Sequence, residues 1–160
     1  MKTSHISIII STALLIQLGF PTNVRAEPTY QNAAYFNKGE CGLTVEDPHI
    51  SNSMLKKGRK GIKVNVTSTC IYAQESVIFD IQLLKKGSFG WRVVKSFPKK
   101  ITYPKGSPFK IERKDAFVEC TNNKKTIYMA RASSKSRFAG KIYQTPLVYS
   151  NETGYISCGT

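Results

Sequence analysis

The chain has 160 residues and is strongly basic, with 24 Lys and Arg against 10 Asp and Glu and a formal net charge of +14 at pH 7. This length suits one compact domain and is too short for two domains that each have a hydrophobic core. A positive field of this size raises the rate of encounter with polyanions such as nucleic acid, anionic polysaccharide, teichoic-type polymers or acidic lipid, although the same charge also serves solubility alone.

An export signal is predicted over residues 1–26. Lys2 supplies a positive start, the apolar run at 8–16 is shorter than the roughly 20 residues that span a bilayer, and Val24-Arg25-Ala26 fits a cleavage site before Glu27. The mature chain would keep 134 residues, with 22 Lys and Arg against 10 Asp and Glu. The predicted cleavage site is not followed by a cysteine, the residue to which a lipid anchor would be attached. We therefore expect a secreted or extracellular protein, loosely surface-associated at most, with no transmembrane segment in the mature chain.

Residues 27–40, which contain Pro, Asn and Gly, are predicted to form a flexible leader before a folded domain at 41–160. The clearest strand pattern is at 61–72, where Val64, Val66 and Cys70 share an apolar face and their neighbours are polar. Similar strand candidates follow turn signals along the chain, at 41–50, 61–72, 77–85, 91–97, 109–120, 125–132, 141–149 and 154–158. The polar run at 133–137 is expected to separate two of them.

Seven or eight short strands without a long helical segment predict an all-β fold. We expect a single immunoglobulin-like antiparallel β-sandwich, with a small β-barrel as the alternative architecture. The Pro-rich stretch between Phe97 and Phe109 is predicted to cross between strands, which favours the sandwich. Trp91 is expected to be the core tryptophan of that sandwich rather than an exposed stacking residue.

The four cysteines, Cys41, Cys70, Cys120 and Cys158, predict two disulfides in an exported domain of this size. Three connectivities are open. A hairpin folded about the basic turn at 54–60 would bring Cys41 close to Cys70, and Cys120 would then pair with Cys158. Metal binding is disfavoured because no two cysteines have CxxC-like spacing and the only histidine outside the signal is His49.

A resemblance follows from the placement of these cysteines. Thr69-Cys70 ends a Val-rich strand, Phe-Asp-Ile-Gln-Leu-Leu at 79–84 forms a central strand, and Val118-Glu119-Cys120 precedes a terminal Ile156-Ser157-Cys158-Gly159. Over residues 40–160 this order resembles small exported four-cysteine β-sandwich proteins of Gram-positive bacteria. The resemblance implies the sandwich fold and the pairing of Cys41 with Cys70 and Cys120 with Cys158. It implies no activity, since none is assigned to that family.

The chain contains no recognisable catalytic arrangement. His49 would have to serve any Ser-His or Cys-His site alone, and the adjacent Glu46 and Asp47 point to opposite faces of a strand, which is poor geometry for paired acid and base. Phosphate-loop, calcium-loop and HExxH motifs are missing from the sequence. We expect a protein that is not an enzyme and that needs no cofactor or metal.

Clusters of basic residues are the remaining candidate site, because cations interleaved with aromatic residues can hold phosphates or carboxylates. The candidate anion-binding residues are Lys56, Lys57, Arg59, Lys60, Lys85, Lys86, Arg92, Lys99 and Lys100. A further run, with Lys124, Lys125, Arg131, Lys135, Arg137 and Lys141, is equally compatible with a solvated surface.

Two classes of function remain open at this point. The first is an exported basic, non-enzymatic binding or surface protein that contacts anionic envelope polymers or a host protein partner. The alternative is a secreted inhibitor or toxin-like effector that presents an exposed loop, at 54–60 or 97–109, to another protein. The salt dependence of binding distinguishes the two classes. Binding through a basic face weakens steeply as ionic strength rises, whereas binding through a loop inserted in a pocket is less sensitive to salt.

Overall fold

The computed structural model describes residues 33–35, 41–103, 109–138 and 140–160. The predicted export signal at 1–26 and most of the predicted leader lie outside these residues. Within the leader, Ala33–Tyr35 forms a strand that pairs antiparallel with Cys41–Val45.

The described residues form twelve strands and one short helix. In chain order these are β1 Ala33–Tyr35, β2 Cys41–Val45, β3 His49–Ile50, α1 Asn52–Leu55, β4 Gly61–Cys70, β5 Ser76–Gly87, β6 Gly90–Thr102, β7 Lys110–Glu119, β8 Asn122–Thr126, β9 Tyr128–Phe138, β10 Lys141–Gln144, β11 Val148–Tyr149 and β12 Ile156–Gly159.

The strands make two five-stranded antiparallel sheets and a two-stranded ribbon. In the first sheet β4 pairs with β2, β3 and β7, and β1 extends it beyond β2. In the second sheet β5 lies between β6 and β9, and β10 and β11 pair with the far side of β9. The terminal ribbon consists of β8 and β12.

The main hydrophobic core lies between the two sheets. The alternation of β4 buries Val64 and Val66 from the first sheet, and that of β5 buries Phe79 and Ile81 from the second. A side-chain period of two in each strand produces this arrangement, since alternate residues face the same layer. The prediction of an all-β antiparallel fold is confirmed, and the sheets of the described residues do not close into a barrel.

Both predicted disulfides are present. Cys41 and Cys70 are register partners on β2 and β4, so the bond joins two adjacent strands directly. Cys120 follows β7 and bonds to Cys158 in β12, which ties the terminal ribbon to the end of the first sheet. No free cysteine remains among the described residues.

The polar run at 133–137 is not a connection, and that prediction is wrong. These residues lie inside β9, where Ser134 and Ser136 are buried. The Ser134 amide donates to Thr145 Oγ1 at 2.7 Å, and the hydroxyl groups of Ser136 and Ser68 lie 3.1 Å apart. Small hydroxyl side chains with internal partners can therefore occupy a buried strand face that hydrophobic periodicity does not detect.

The Pro-rich stretch also differs from its prediction, because β6 continues through Pro98 to Thr102. Among the described strands β6 pairs only with β5, so it is an edge strand, where a proline without an amide hydrogen is tolerated. Residues 104–108 lie outside the described residues.

Trp91 is not the core tryptophan. It lies near the turn of the β5–β6 hairpin and is only partly buried. The residue that fills the core at that end of the sandwich is Tyr128, which is fully buried.

Candidate functional site

A cleft of about 410 Å³ lies between the tip of the β5–β6 hairpin and the terminal ribbon. Five cationic residues line it and no acidic residue does: Lys85, Lys86, Arg92, Lys124 and Lys125. We call this site the cationic cleft. It combines two basic segments that are more than thirty residues apart in the chain.

The hairpin wall of the cleft contains an unfavourable charge pair. Lys85 and Arg92 are direct register partners on β5 and β6, and like charges placed directly opposite in an antiparallel pair destabilise a sheet. The absence of a side chain at Gly87 leaves room for the Arg92 guanidinium, whose Nε would lie 3.1 Å from a β-carbon built there. The hairpin thus has Arg92 opposite Lys85, at a position where an acidic side chain would stabilise the sheet.

The ribbon wall presents Lys124 and Lys125 from β8. The Asn122 side chain accepts a hydrogen bond from the Lys124 amide at 2.9 Å, and it occupies the space that a side chain at Gly159 would fill. Besides the Cys120–Cys158 disulfide, hydrogen bonds hold the ribbon in place. The Lys86 amide donates to the Ile127 carbonyl at 2.9 Å, and the Tyr128 hydroxyl donates to the Cys158 carbonyl.

The cations of the cleft differ in their partners. Lys86 Nζ lies 3.0 Å from a carboxylate oxygen of Glu152 and 5.7 Å from the centre of the Trp91 ring, and Lys85 donates to the carbonyl oxygen of Thr160. No Asp or Glu side chain of the described residues lies within salt-bridge distance of the other three, Arg92, Lys124 and Lys125. The cleft therefore retains uncompensated positive charge.

Arg59, Lys60 and Lys99 lie outside the cleft and contact other side chains. Arg59 donates two hydrogen bonds to the Glu119 carboxylate, at 2.8 and 2.6 Å. The bonds from Arg59 lower the pKa of Glu119, and those to Glu119 raise the pKa of Arg59. Lys60 Nζ donates to Asn123 Oδ1 at 3.3 Å, and Lys99 pairs with Asp115.

The remaining predicted cations are exposed and separate from the cleft. Lys56 and Lys57 follow α1 in the turn before β4, and Lys100 lies on β6 opposite Ile78, on the outer face of the second sheet. Of the nine residues predicted from sequence, the structure brings only Lys85, Lys86 and Arg92 into the cleft.

Lys124, Lys125 and Tyr155 are the cleft residues that the sequence-based selection missed. Lys124 and Lys125 belong to the second basic run. Its other members lie outside the cleft: Arg131, Lys135 and Arg137 on β9 and Lys141 on β10. The signal that could have found them is the pairing of Cys120 with Cys158, because that bond brings residues near 122–126 beside the end of the chain.

Glu112 on β7 illustrates how basic residues elsewhere are neutralised. Its carboxylate lies 2.7 Å from Lys110 Nζ and also pairs with Lys114. Hydrogen bonds from Lys110 and then Lys114 lower the pKa of Glu112 to about 2. Because the folded pKa is below the ordinary value of 4.5, this carboxylate stabilises the fold fully above pH 4.5 and loses that effect as the pH falls towards 2.

We therefore expect Glu112→Gln to lower the free energy of unfolding at neutral pH, with a difference that shrinks as the pH falls below 4.5 and disappears only once the pH is below the folded pKa of about 2. Urea unfolding of both proteins across this range measures the difference. High salt should shrink the difference, since the pairs are exposed and screened. A difference that stays constant with pH would show that Glu112 acts through packing instead.

The described residues contain no helix long and apolar enough to cross a membrane. They also contain no group of three or more His, Cys, Asp or Glu residues arranged to hold a metal ion. Comparison with protein-family models, with curated proteins and with solved structures returned no match to this chain.

Proposed function

We propose that this protein is an exported, non-enzymatic binding protein whose cationic cleft holds the phosphate groups of an anionic envelope polymer. The observation that carries the proposal is the convergence of five cations on one cleft with no Asp or Glu side chain in its lining. An Arg guanidinium can grip two oxygens of a phosphate at once, and Lys ammonium groups add compact positive charge around it.

Solubility alone accounts poorly for this arrangement. Several basic residues elsewhere are paired with acids, including Arg59 with Glu119 and Lys99 with Asp115. In the cleft, by contrast, Lys85 and Arg92 lie directly opposite each other. A fold that needed charge only for solubility could place these cations apart and avoid their repulsion.

The size of the cleft favours binding of one unit of a polymer at a time. A volume of about 410 Å³ lies within the usual range of about 300 to 1,000 Å³ for small-ligand sites. The rest of a polymer would extend over the basic surface outside the cleft, where contacts are weaker and screened by salt.

The test compares two triple variants with the same change in charge. In the first, Arg92, Lys124 and Lys125 are replaced by Gln, and in the matched control Lys56, Lys57 and Lys100 are replaced by Gln. Binding to a soluble poly(glycerol phosphate) is measured at several salt concentrations. We expect the cleft variant to bind about a hundredfold more weakly at low salt, with each lost cation contributing about 1 kcal/mol.

The salt dependence gives a second readout. The slope of log affinity against log salt should fall by about 3 in the cleft variant, one for each lost phosphate contact. The control variant should lose much less affinity and much less slope, because its three lysines lie on the surface where polymer contacts are weaker and screened by salt. Equal losses in both variants would show that net charge, and not the cationic cleft, determines binding.

A further inference from the structure

A fully exposed phenylalanine stands at the apex of the hairpin that forms one wall of the cationic cleft. Ser88 and Phe89 make the two-residue turn between the paired Gly87 and Gly90. Phe89 has a relative exposure of 101%, the highest of the large hydrophobic side chains in the described residues. It therefore contributes no packing to the fold.

The turn itself does not need an aromatic residue. Two-residue hairpin turns favour Gly, Asn and Asp, which adopt positive φ angles or bond to the local backbone. Gly90, the residue directly after the turn, has a positive φ of 105°. A phenyl ring at position 89 thus gives the protein an exposed apolar surface that neither the turn nor the core uses.

The surroundings of this apex are cationic and partly apolar. Ser88, next to Phe89, lines the cationic cleft together with Arg92. One further exposed aromatic side chain belongs to the cleft: Tyr155 lines it and is 74% exposed. An apolar tip beside a cationic cleft is complementary to the surface of an anionic bilayer, where acidic headgroups cover a hydrocarbon layer.

We propose that the β5–β6 hairpin docks this protein onto an anionic lipid bilayer, with Phe89 entering the interface and the cations of the cleft contacting lipid phosphates. The cationic part of this inference rests on the proposed function, and the insertion of Phe89 goes beyond it. Because one small apolar group gives weak membrane binding by itself, attachment depends on both contributions. The protein should bind bilayers that contain acidic lipid and not purely zwitterionic ones.

The first test measures binding to vesicles of phosphatidylcholine with and without phosphatidylglycerol. Phe89→Ala should reduce the partition coefficient on phosphatidylglycerol-containing vesicles about tenfold, since an exposed ring is lost from the interface. Ile142→Ala is the matched control, because Ile142 is 69% exposed on β10, outside the cleft. It should bind like wild type. Both variants should keep wild-type affinity for soluble poly(glycerol phosphate), which has no hydrocarbon layer.

The second test reports the environment of the apex directly. The chain contains a single tryptophan, so Trp91→Phe combined with Phe89→Trp places the only indole at the hairpin tip. Its emission should shift to the blue with phosphatidylglycerol-containing vesicles, and brominated acyl chains should quench it. Vesicles of phosphatidylcholine alone should produce neither change.

The outcomes separate this proposal from the proposed function. Wild-type vesicle binding by Phe89→Ala, or an indole at position 89 that brominated lipid fails to quench, would overturn the insertion of Phe89 and leave polymer binding intact. Wild-type protein that binds poly(glycerol phosphate) but no vesicle would do the same. If the cleft triple variant bound the polymer like wild type, the proposed function would fail, while the Phe89 results would still decide insertion.

Discussion

Replacing both Cys120 and Cys158 by alanine should lower the free energy of unfolding by about 4 kcal/mol and should also abolish binding in the cationic cleft. The loop that this disulfide closes spans 38 residues, and its removal restores the corresponding entropy to the unfolded chain. The same bond holds β12 against the end of β7. Without it, the ribbon that carries Lys124 and Lys125 should lose its fixed position beside the hairpin. Urea unfolding and polymer binding measure the two effects.

The second disulfide provides a matched control. Cys41 and Cys70 are separated by 29 residues, so their replacement by alanine should cost a similar amount, also about 4 kcal/mol. This bond joins β2 to β4 and contacts Phe138, at the opposite end of β9 from Tyr128. The variant should therefore keep wild-type affinity for the polymer under conditions in which it stays folded. Equal loss of binding in both double variants would mean that the Cys120–Cys158 bond acts only through global stability.

Replacement of Tyr128 by alanine should lower the free energy of unfolding by about 4 kcal/mol, the loss typical of a large aromatic side chain removed from a packed core. Tyr128 is fully buried at the start of β9, where it pairs with Lys85 in register. Its hydroxyl group donates to the carbonyl of Cys158, so one side chain joins the core to the terminal ribbon. Chemical unfolding followed by circular dichroism measures the loss.

Tyr128→Phe separates the two roles of this residue. It keeps the ring in the core and removes the donor to the Cys158 carbonyl, which should cost about 1 to 3 kcal/mol if that carbonyl is left without a partner. Hydrogen exchange of the amides of β12 should then accelerate more than that of the amides of β4. If Tyr128→Phe were as stable as wild type, the hydroxyl group would have no part in holding the ribbon.

Much of the fold could be predicted from the sequence, because burial along the strands of a sandwich alternates with a period of two. The pattern at 61–72 placed Val64, Val66 and Cys70 on one face, and all three are buried. Polar residues that interrupt the hydrophobic pattern were wrongly predicted to form a connection between strands. Ser134 and Ser136 are buried through hydrogen bonds made with other segments, and those partners cannot be recognised from neighbouring residues.

Aromatic residues show a similar limit. Trp91 was expected inside the sandwich, but it lies beside Lys86 near the hairpin turn, and Tyr128 takes the buried position at that end. Both side chains are amphipathic, so their local sequence allows either a core or a surface role. The choice depends on where the strand meets the opposite sheet.

The sequence by itself determined the all-β class, the presence of two disulfides and the abundance of positive charge, because strand periodicity, the number of cysteines and the composition are read along the chain, whereas the residues alone left three cysteine pairings open. Only the tertiary structure decided which cations act together. Lys85, Lys86 and Arg92 meet Lys124 and Lys125 because the ribbon, held by Cys120–Cys158 and Tyr128, folds against the β5–β6 hairpin. Charge neutralisation was partly non-local, since Arg59 and Glu119 are 60 positions apart, whereas Glu112 pairs with Lys110 and Lys114 on its own strand. Contacts between distant segments cannot be deduced from local patterns, and those contacts define this site.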